Sequence, residues 1–164
     1  MSSTETTSMD EWIPSAEWAT IVEHVPIVSV DLVVLADGGV VLGKRENDPA
    51  RGEWFVPGGR VRKHERLTDT VHRVADQELD VGVEIEKRLG TYEHFYETAE
   101  VPDVGGKHYV TNGFVVRTRG EMSGHDSQHG ALRVFPEPPT DLHPYVEQYL
   151  GDAASLGYTV GRRN

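Results

Sequence analysis

The chemically richest stretch runs Gly58-Gly59-Arg60-Val61-Arg62-Lys63-His64-Glu65, with Arg73 eight residues further on and Glu78 five after that. It reads as a strand end, a tight glycine loop and then a helix with charges at defined turns. On that helix Arg73 and Gln77 are four apart and share a face, while Ala75, Glu78 and Leu79 share another. Glu78 therefore stands at the edge of the apolar stripe. A carboxylate there needs a partner, and a divalent cation is the natural one. A carbonyl of the glycine loop offers a second oxygen ligand, because glycine lets the chain approach closely. Cysteine is absent, which excludes thiolate chemistry, disulfides and Cys-type zinc sites.

These residues have to be positioned by regular elements. Leu67, Val71, Val74, Ala75 and Leu79 recur at helical spacing and predict a helix over 68–80. Upstream, Trp18, Ile21, Val22 and Val25 predict a short amphipathic helix, with Ser15 as its N-cap and Pro26 as its end. Residues 27–36 are β-rich, Asp37-Gly38-Gly39 is a turn, and 40–44 resumes the strand. Residues 54–56 form a short strand stopped by Pro57-Gly58-Gly59. Strands follow at 83–96, 109–118 and 131–135, and a helix at 141–150 with Pro144 in its first turn. The order predicts an α/β fold, a mixed sheet between helices rather than a doubly wound parallel sheet. Residues 1–12 are polar and Ser/Thr-rich and read as disordered. Residues 13–151 form the domain, and 152–164 read as a frayed tail.

A chain of 164 residues makes one domain. Its net charge of −11 disfavours nucleic acid, whose binding needs a Lys/Arg surface. No apolar run is long enough to span a bilayer, and no secretory signal is visible, so a cytoplasmic protein is expected. Four lysines against twelve arginines, with 27 acids, point to a high-salt cytoplasm in which self-repulsion is screened. Against this acidity, residues 44–66 hold seven bases and four acids, a local +3.

The spacing Gly59-x5-Glu65-x7-Arg73-x4-Glu78 resembles the Nudix box, G-x5-E-x7-R-E-U-x-E-E-x-G-U with U aliphatic. Three positions depart from it. Val74 stands where the family has Glu, Gln77 stands for the first of a Glu pair, and Asp80 stands for glycine. A subfamily with such losses, the GDP-mannose mannosyl hydrolases, is resembled well outside the box. The resemblance covers Ala16–Val22, Pro26–Asp31, Leu42–Ala50, Trp54–Val61, His94-Phe95-Tyr96, His108-Tyr109-Val110 and Gln128-His129.

The resemblance implies a Nudix α/β/α sandwich with a loop–helix metal motif. It implies Mg²⁺ (Mn²⁺ possible) held by the Gly58 carbonyl, Glu78 and Gln128, with His129 as general base. Arg45 and Arg60 would neutralise the diphosphate and Tyr109 would lie near it. Trp18 would stack on guanine with Glu17 at its edge, and Asp31, His94 and Tyr96 would complete the substrate site. Gly59, Glu65 and Arg73 belong to the structural motif, the last two as a bracing ion pair. The implied partner is a small nucleotide sugar, and the implied assembly a homodimer. The expected reaction is hydrolysis of GDP-mannose or GDP-glucose by water attack at the anomeric carbon, with inversion, releasing GDP and free sugar. A diphosphate leaving group needs charge neutralisation more than protonation, so few box carboxylates suffice. Two alternatives stand beside it: a conventional Nudix pyrophosphohydrolase attacking phosphorus, and a non-catalytic nucleotide-sugar binding module.

Overall fold

The Ile-, Val- and Leu-rich run 27–36 is buried along most of its length, as expected of a central strand covered on both faces. The computed structural model describes residues 13–122 and 132–161. In chain order it holds α1 (Ser15–His24), β1 (Ile27–Ala36), β2 (Gly39–Lys44), β3 (Trp54–Phe55), β4 (Gly58–Arg60), α2 (Leu67–Leu79), β5 (Val83–Tyr96), β6 (Lys107–Thr118), β7 (Leu132–Phe135) and α3 (Pro144–Ser155). The main strand order is β3-β2-β1-β6-β5, with β4 pairing β1 and β7 pairing β2. Only β1 and β6 run parallel among the described pairs, so the sheet is mixed, as the sequence predicts.

The two faces of β1 separate the core. Val30, Leu32 and Val34 pack with Val71, Val74, Ala75 and Leu79 of α2. Val33 and Leu35 pack with Val146, Tyr149, Leu150 and Ala153 of α3. Val71, Val74 and Leu79 are almost fully buried, so α2's stripe contributes roughly 5–9 kcal/mol of transfer free energy. The result is an α/β/α sandwich.

Four expectations are corrected. Pro14, not Ser15, caps α1, and no side chain bonds the cap; Ser15 is already helical. The glycine segment is not a loop: β4 pairs with β1 through Gly58↔Asp31, Gly59↔Val30 and Arg60↔Ser29. α3 starts later and ends later than predicted, because Pro144 occupies its first turn and His143 caps it through Nδ1, which accepts from Tyr145 N at 3.1 Å. The tail after 151 is not frayed at its start: the helix continues to Ser155, and Ala153 and Val160 are buried in the core.

Candidate active site

α2 holds β4 through one dense knot. Arg73 donates a fork to Glu65, Nε to Oε2 at 2.7 Å and Nη2 to Oε1 at 2.9 Å. The same Nη2 reaches the Arg60 carbonyl at 2.7 Å, and Nη1 reaches Gln77 at 3.1 Å. Glu65 also accepts from Arg62 N at 3.0 Å and Thr70 Oγ1 at 2.8 Å. The hydrogen bond from Arg73 is the largest cause holding the Glu65 carboxyl at about 2, well below its usual 4.5. The expected ion pair is therefore present, and it fixes Arg60 by its carbonyl.

Gly58 and Gly59 are needed for contact, not for flexibility. A β-carbon on Gly58 would overlap Asp31 Oδ1 and lie 2.7 Å from the Val30 carbonyl. One on Gly59 would lie 2.8 Å from Val74 Cγ2. Val74 is 1% exposed, so this box position is a core residue seated on the glycine strand. Asp80 keeps the left-handed backbone of the missing glycine, with φ 57° and ψ 33° at the end of α2. Aspartate is among the few side chains that adopt it readily.

In front of β4 lies a cavity of about 560 Å³. Trp18, Asp31, Arg45, Gly58, Gly59, Arg60, His94, Tyr96 and Tyr109 all line it. Arg45 Nε donates to the Pro49 carbonyl at 2.7 Å, which anchors one edge of its guanidinium. Tyr149, fully buried and outside the cavity lining, donates its OH to Asp31 Oδ2 at 2.6 Å. Burial pushes the Asp31 carboxyl up to about 6, against the opposing pull of the hydrogen bonds and of Arg45. His94 stacks on Tyr145, centroids 3.8 Å apart, with Nδ1 4.0 Å from Asp31 Oδ2. Burial, helped by His143, lowers His94 to about 4, so near neutral pH the ring is uncharged and its contact with Asp31 is no ion pair. Its buried Nε2 has no hydrogen-bond partner among the described residues.

One expected residue lies away from the cavity, and two residues join it that were not expected. Glu17 is exposed and lies outside the cavity lining. The carboxylate that meets the Trp18 indole is Glu100, which accepts from Nε1 at 3.0 Å. Glu100 and Lys107 line the cavity and were not singled out from sequence. A signal for Lys107 existed, since it stands two residues before Tyr109 and strand alternation puts both on one face. Gln128 and His129 lie outside the described residues.

The donor set suits a hard cation of few protein ligands. Glu78 stands one helical turn beyond Val74, the residue that touches Gly59, and is half-buried. Among the described residues no group of three or more His, Asp or Glu side chains could hold a metal ion. A carbonyl and a single carboxylate match Mg²⁺, which keeps several waters and takes substrate phosphates as ligands. No helix among the described residues is long and apolar enough to cross a membrane.

The NUDIX domain model matches residues 25–148. The chain belongs to the Nudix hydrolase family. It is 57% identical over 138 residues to the low-salt glycan biosynthesis protein Agl8 of Haloferax volcanii, covering 84% of this chain and 88% of that protein. A shorter match, 33% identical over 67 residues, links 41% of the chain to 40% of an ADP-ribose pyrophosphatase of Methanocaldococcus jannaschii. Among solved structures, a MutT Nudix hydrolase from Burkholderia pseudomallei aligns with TM-score 0.62 and 25% identity, over 77% of this chain and 97% of that one. Nudix hydrolases generally use divalent cations such as Mg²⁺.

Proposed function

We propose that this Nudix protein hydrolyses a GDP-sugar, GDP-mannose or GDP-glucose, at the anomeric carbon. The observation that carries the reading is the pairing of a cation-lined cavity with a box poor in carboxylates. Arg45, Arg60 and Lys107 line one cavity with Asp31 and His94, while Val74 is core and Gln77 is bonded to Arg73. Phosphorus attack in this family relies on several crowded carboxylates, and here two of those positions are occupied otherwise. Departure of a nucleoside diphosphate from carbon needs mainly charge neutralisation, which arginine forks supply.

In this reading Arg45 and Arg60 bind the diphosphate oxygens, and Tyr109 lies beside them. The neutral His94, with its unpartnered Nε2, and Asp31 bind sugar hydroxyls, with Tyr96 packed against His94. His129 takes the proton of the attacking water on the face opposite the nucleotide. The C1–O bond breaks, GDP leaves with the bridging oxygen, and the sugar is released inverted. The Gly58 carbonyl, Glu78 and Gln128 would hold Mg²⁺. When bound, that ion supplies charge neutralisation of the leaving diphosphate. A homodimer in a cytoplasm of high salt completes the proposal, in keeping with the acidic composition.

The test is product analysis in ¹⁸O water over GDP-, UDP- and ADP-sugars. GDP plus ¹⁸O-labelled reducing sugar supports the reading. GMP plus sugar 1-phosphate overturns it in favour of a pyrophosphohydrolase, and no turnover on any nucleotide sugar favours a binding module.

A further inference from the structure

Tyr149 is the largest of the fully buried side chains, yet it ends in a polar group. The core layer that holds it, with Val33, Val115, Val146 and Leu150, is apolar, and phenylalanine would fill the same seat. Its ring lies over Gly113, where a β-carbon would stand 2.9 Å from Cε1. Gly113 is the register partner of Asp31 in the parallel β1–β6 pair. The missing β-carbon lets the ring lie beside Asp31, and the hydroxyl reaches Oδ2 at 2.6 Å. Packing alone asks for the ring and not for the hydroxyl.

Burial, with Asp31 beside it, pushes the Tyr149 phenol above its usual range, so the proton stays on the tyrosine and the hydroxyl remains a donor. The other carboxylate oxygen is bounded as well: Oδ1 lies so close to Gly58 that a β-carbon there would overlap it. His94 Nδ1 stands 4.0 Å from Oδ2, too far to hold it. The Asp31 side chain is still 15% exposed and lines the cavity. A carboxylate has about four acceptor sites, and the tyrosine takes one of them. One turn earlier on the same face of α3, Tyr145 stacks on His94 and ties down the next residue of β5. Its hydroxyl accepts from Phe95 N at 2.9 Å and donates to Phe95 O at 3.1 Å. α3 thus reaches both Asp31 and His94.

We propose that Tyr149 is a positioning residue for sugar recognition: from behind the cavity wall it holds Asp31 as a fixed acceptor for a sugar hydroxyl; this rests on the GDP-sugar reading above. Without that donor the carboxylate turns about its side-chain torsions, and binding must order it each time. Diphosphate binding belongs to Arg45 and Arg60 in that reading. Only the sugar's share of the affinity therefore depends on Tyr149.

The experiment compares the parent with Tyr149→Phe, which keeps the ring over Gly113 and removes only the hydroxyl. Tyr92→Phe is the control: it loses a tyrosine bond to Asp152 of 2.7 Å, from a ring 4.6 Å from that of Tyr149. Steady-state kinetics of the full chain in Mg²⁺ give kcat and KM for GDP-mannose and GDP-glucose, and the inhibition constant of GDP. Tyr149→Phe should raise KM about five- to tenfold, change kcat by less than about threefold and leave GDP inhibition within about twofold. Tyr92→Phe should leave all three within about twofold. Asp31→Ala should raise KM at least as far, and adding Tyr149→Phe to it should raise KM no further, because the hydroxyl acts only through Asp31. Equal weakening of GDP and GDP-sugar in Tyr149→Phe overturns the proposal, since a loosened core would do the same. So does an unchanged KM, or a double variant in which the two effects add. If the parent turns over no GDP-sugar, the hydrolysis reading falls and calorimetric titration decides: sugar-dependent affinity lost in Tyr149→Phe with GDP binding kept supports the positioning, and any other pattern overturns it. Binding of neither GDP nor a GDP-sugar by the parent overturns both.

Discussion

Gly58→Ala is a sharp probe because the added methyl group meets two different obstacles. One is Asp31 Oδ1, which it would overlap, and the other is the Val30 carbonyl at 2.7 Å. Neither yields easily. Asp31 is held by the Tyr149 hydroxyl at 2.6 Å, and Val30 sits in the fully buried centre of β1. Forcing a methyl into such a contact costs typically 1–3 kcal/mol, and two rigid neighbours place this case at the upper end, about 3 kcal/mol. For a chain of this length that is a fall of roughly 6–12 °C in Tm. Gly105→Ala is the matched control: a β-carbon there meets nothing within 4 Å and its backbone is not left-handed, so Tm should move by about 1 °C or less. Adding Asp31→Ala to Gly58→Ala removes the first obstacle and leaves the second, so part of the lost stability should return while activity does not. Thermal melts of the four proteins decide the matter. If Gly58→Ala and Gly105→Ala melt together, β4 is not seated on β1 as described, and the case that glycine is required there for contact fails.

Two further outcomes follow from the electrostatics. Glu65 is held at about 2 by Arg73, so its contribution to stability is complete above its unfolded value near 4.5 and is lost as pH falls through 2. The full shift corresponds to about 3 kcal/mol, reduced by solvent screening to about 1–2; Glu65→Gln should flatten the melting curve against pH between 5 and 2, and an unchanged acid limb contradicts the brace. With a net charge of −11, the protein should gain several degrees of Tm between about 0.1 and 2 M KCl as self-repulsion is screened, and a flat or falling profile argues against the salt adaptation.

The parts of the fold legible in the sequence are those governed by periodicity. The apolar stripe of α2 and the β-branched run of β1 each fix a face and a length, and the parallel β1–β6 pair between them yields the mixed sheet. Gly58-Gly59 misled because two consecutive glycines after proline usually mark a turn. Here they are short because Asp31 and Val74 press against them, a fact stored in contacts across the sheet. α3 outran its prediction because tertiary packing of Ala153 on the core extends a helix across Gly151, where propensity alone argues for an end. At the site, the arginines and aromatics were found through the wording of a resembled motif. Glu100 escaped because its partner Trp18 is 82 residues away and no local pattern ties a loop acid to a distant indole. Glu17, which the resemblance implied, adjoins Trp18 in sequence, yet consecutive helical residues point apart.

The hydroxyl of Tyr149 and the carboxylate of Asp31 are separated by 118 residues of chain. The sheet residues that face the cavity are all synthesised earlier than that tyrosine. A polypeptide whose α3 has not yet folded therefore presents Asp31 without the hydroxyl that holds it. The order in which the sheet and α3 fold therefore decides when Asp31 becomes fixed in the cavity wall. Released chains with and without α3 would differ in how firmly Asp31 is held far more than in the amount of sheet they contain.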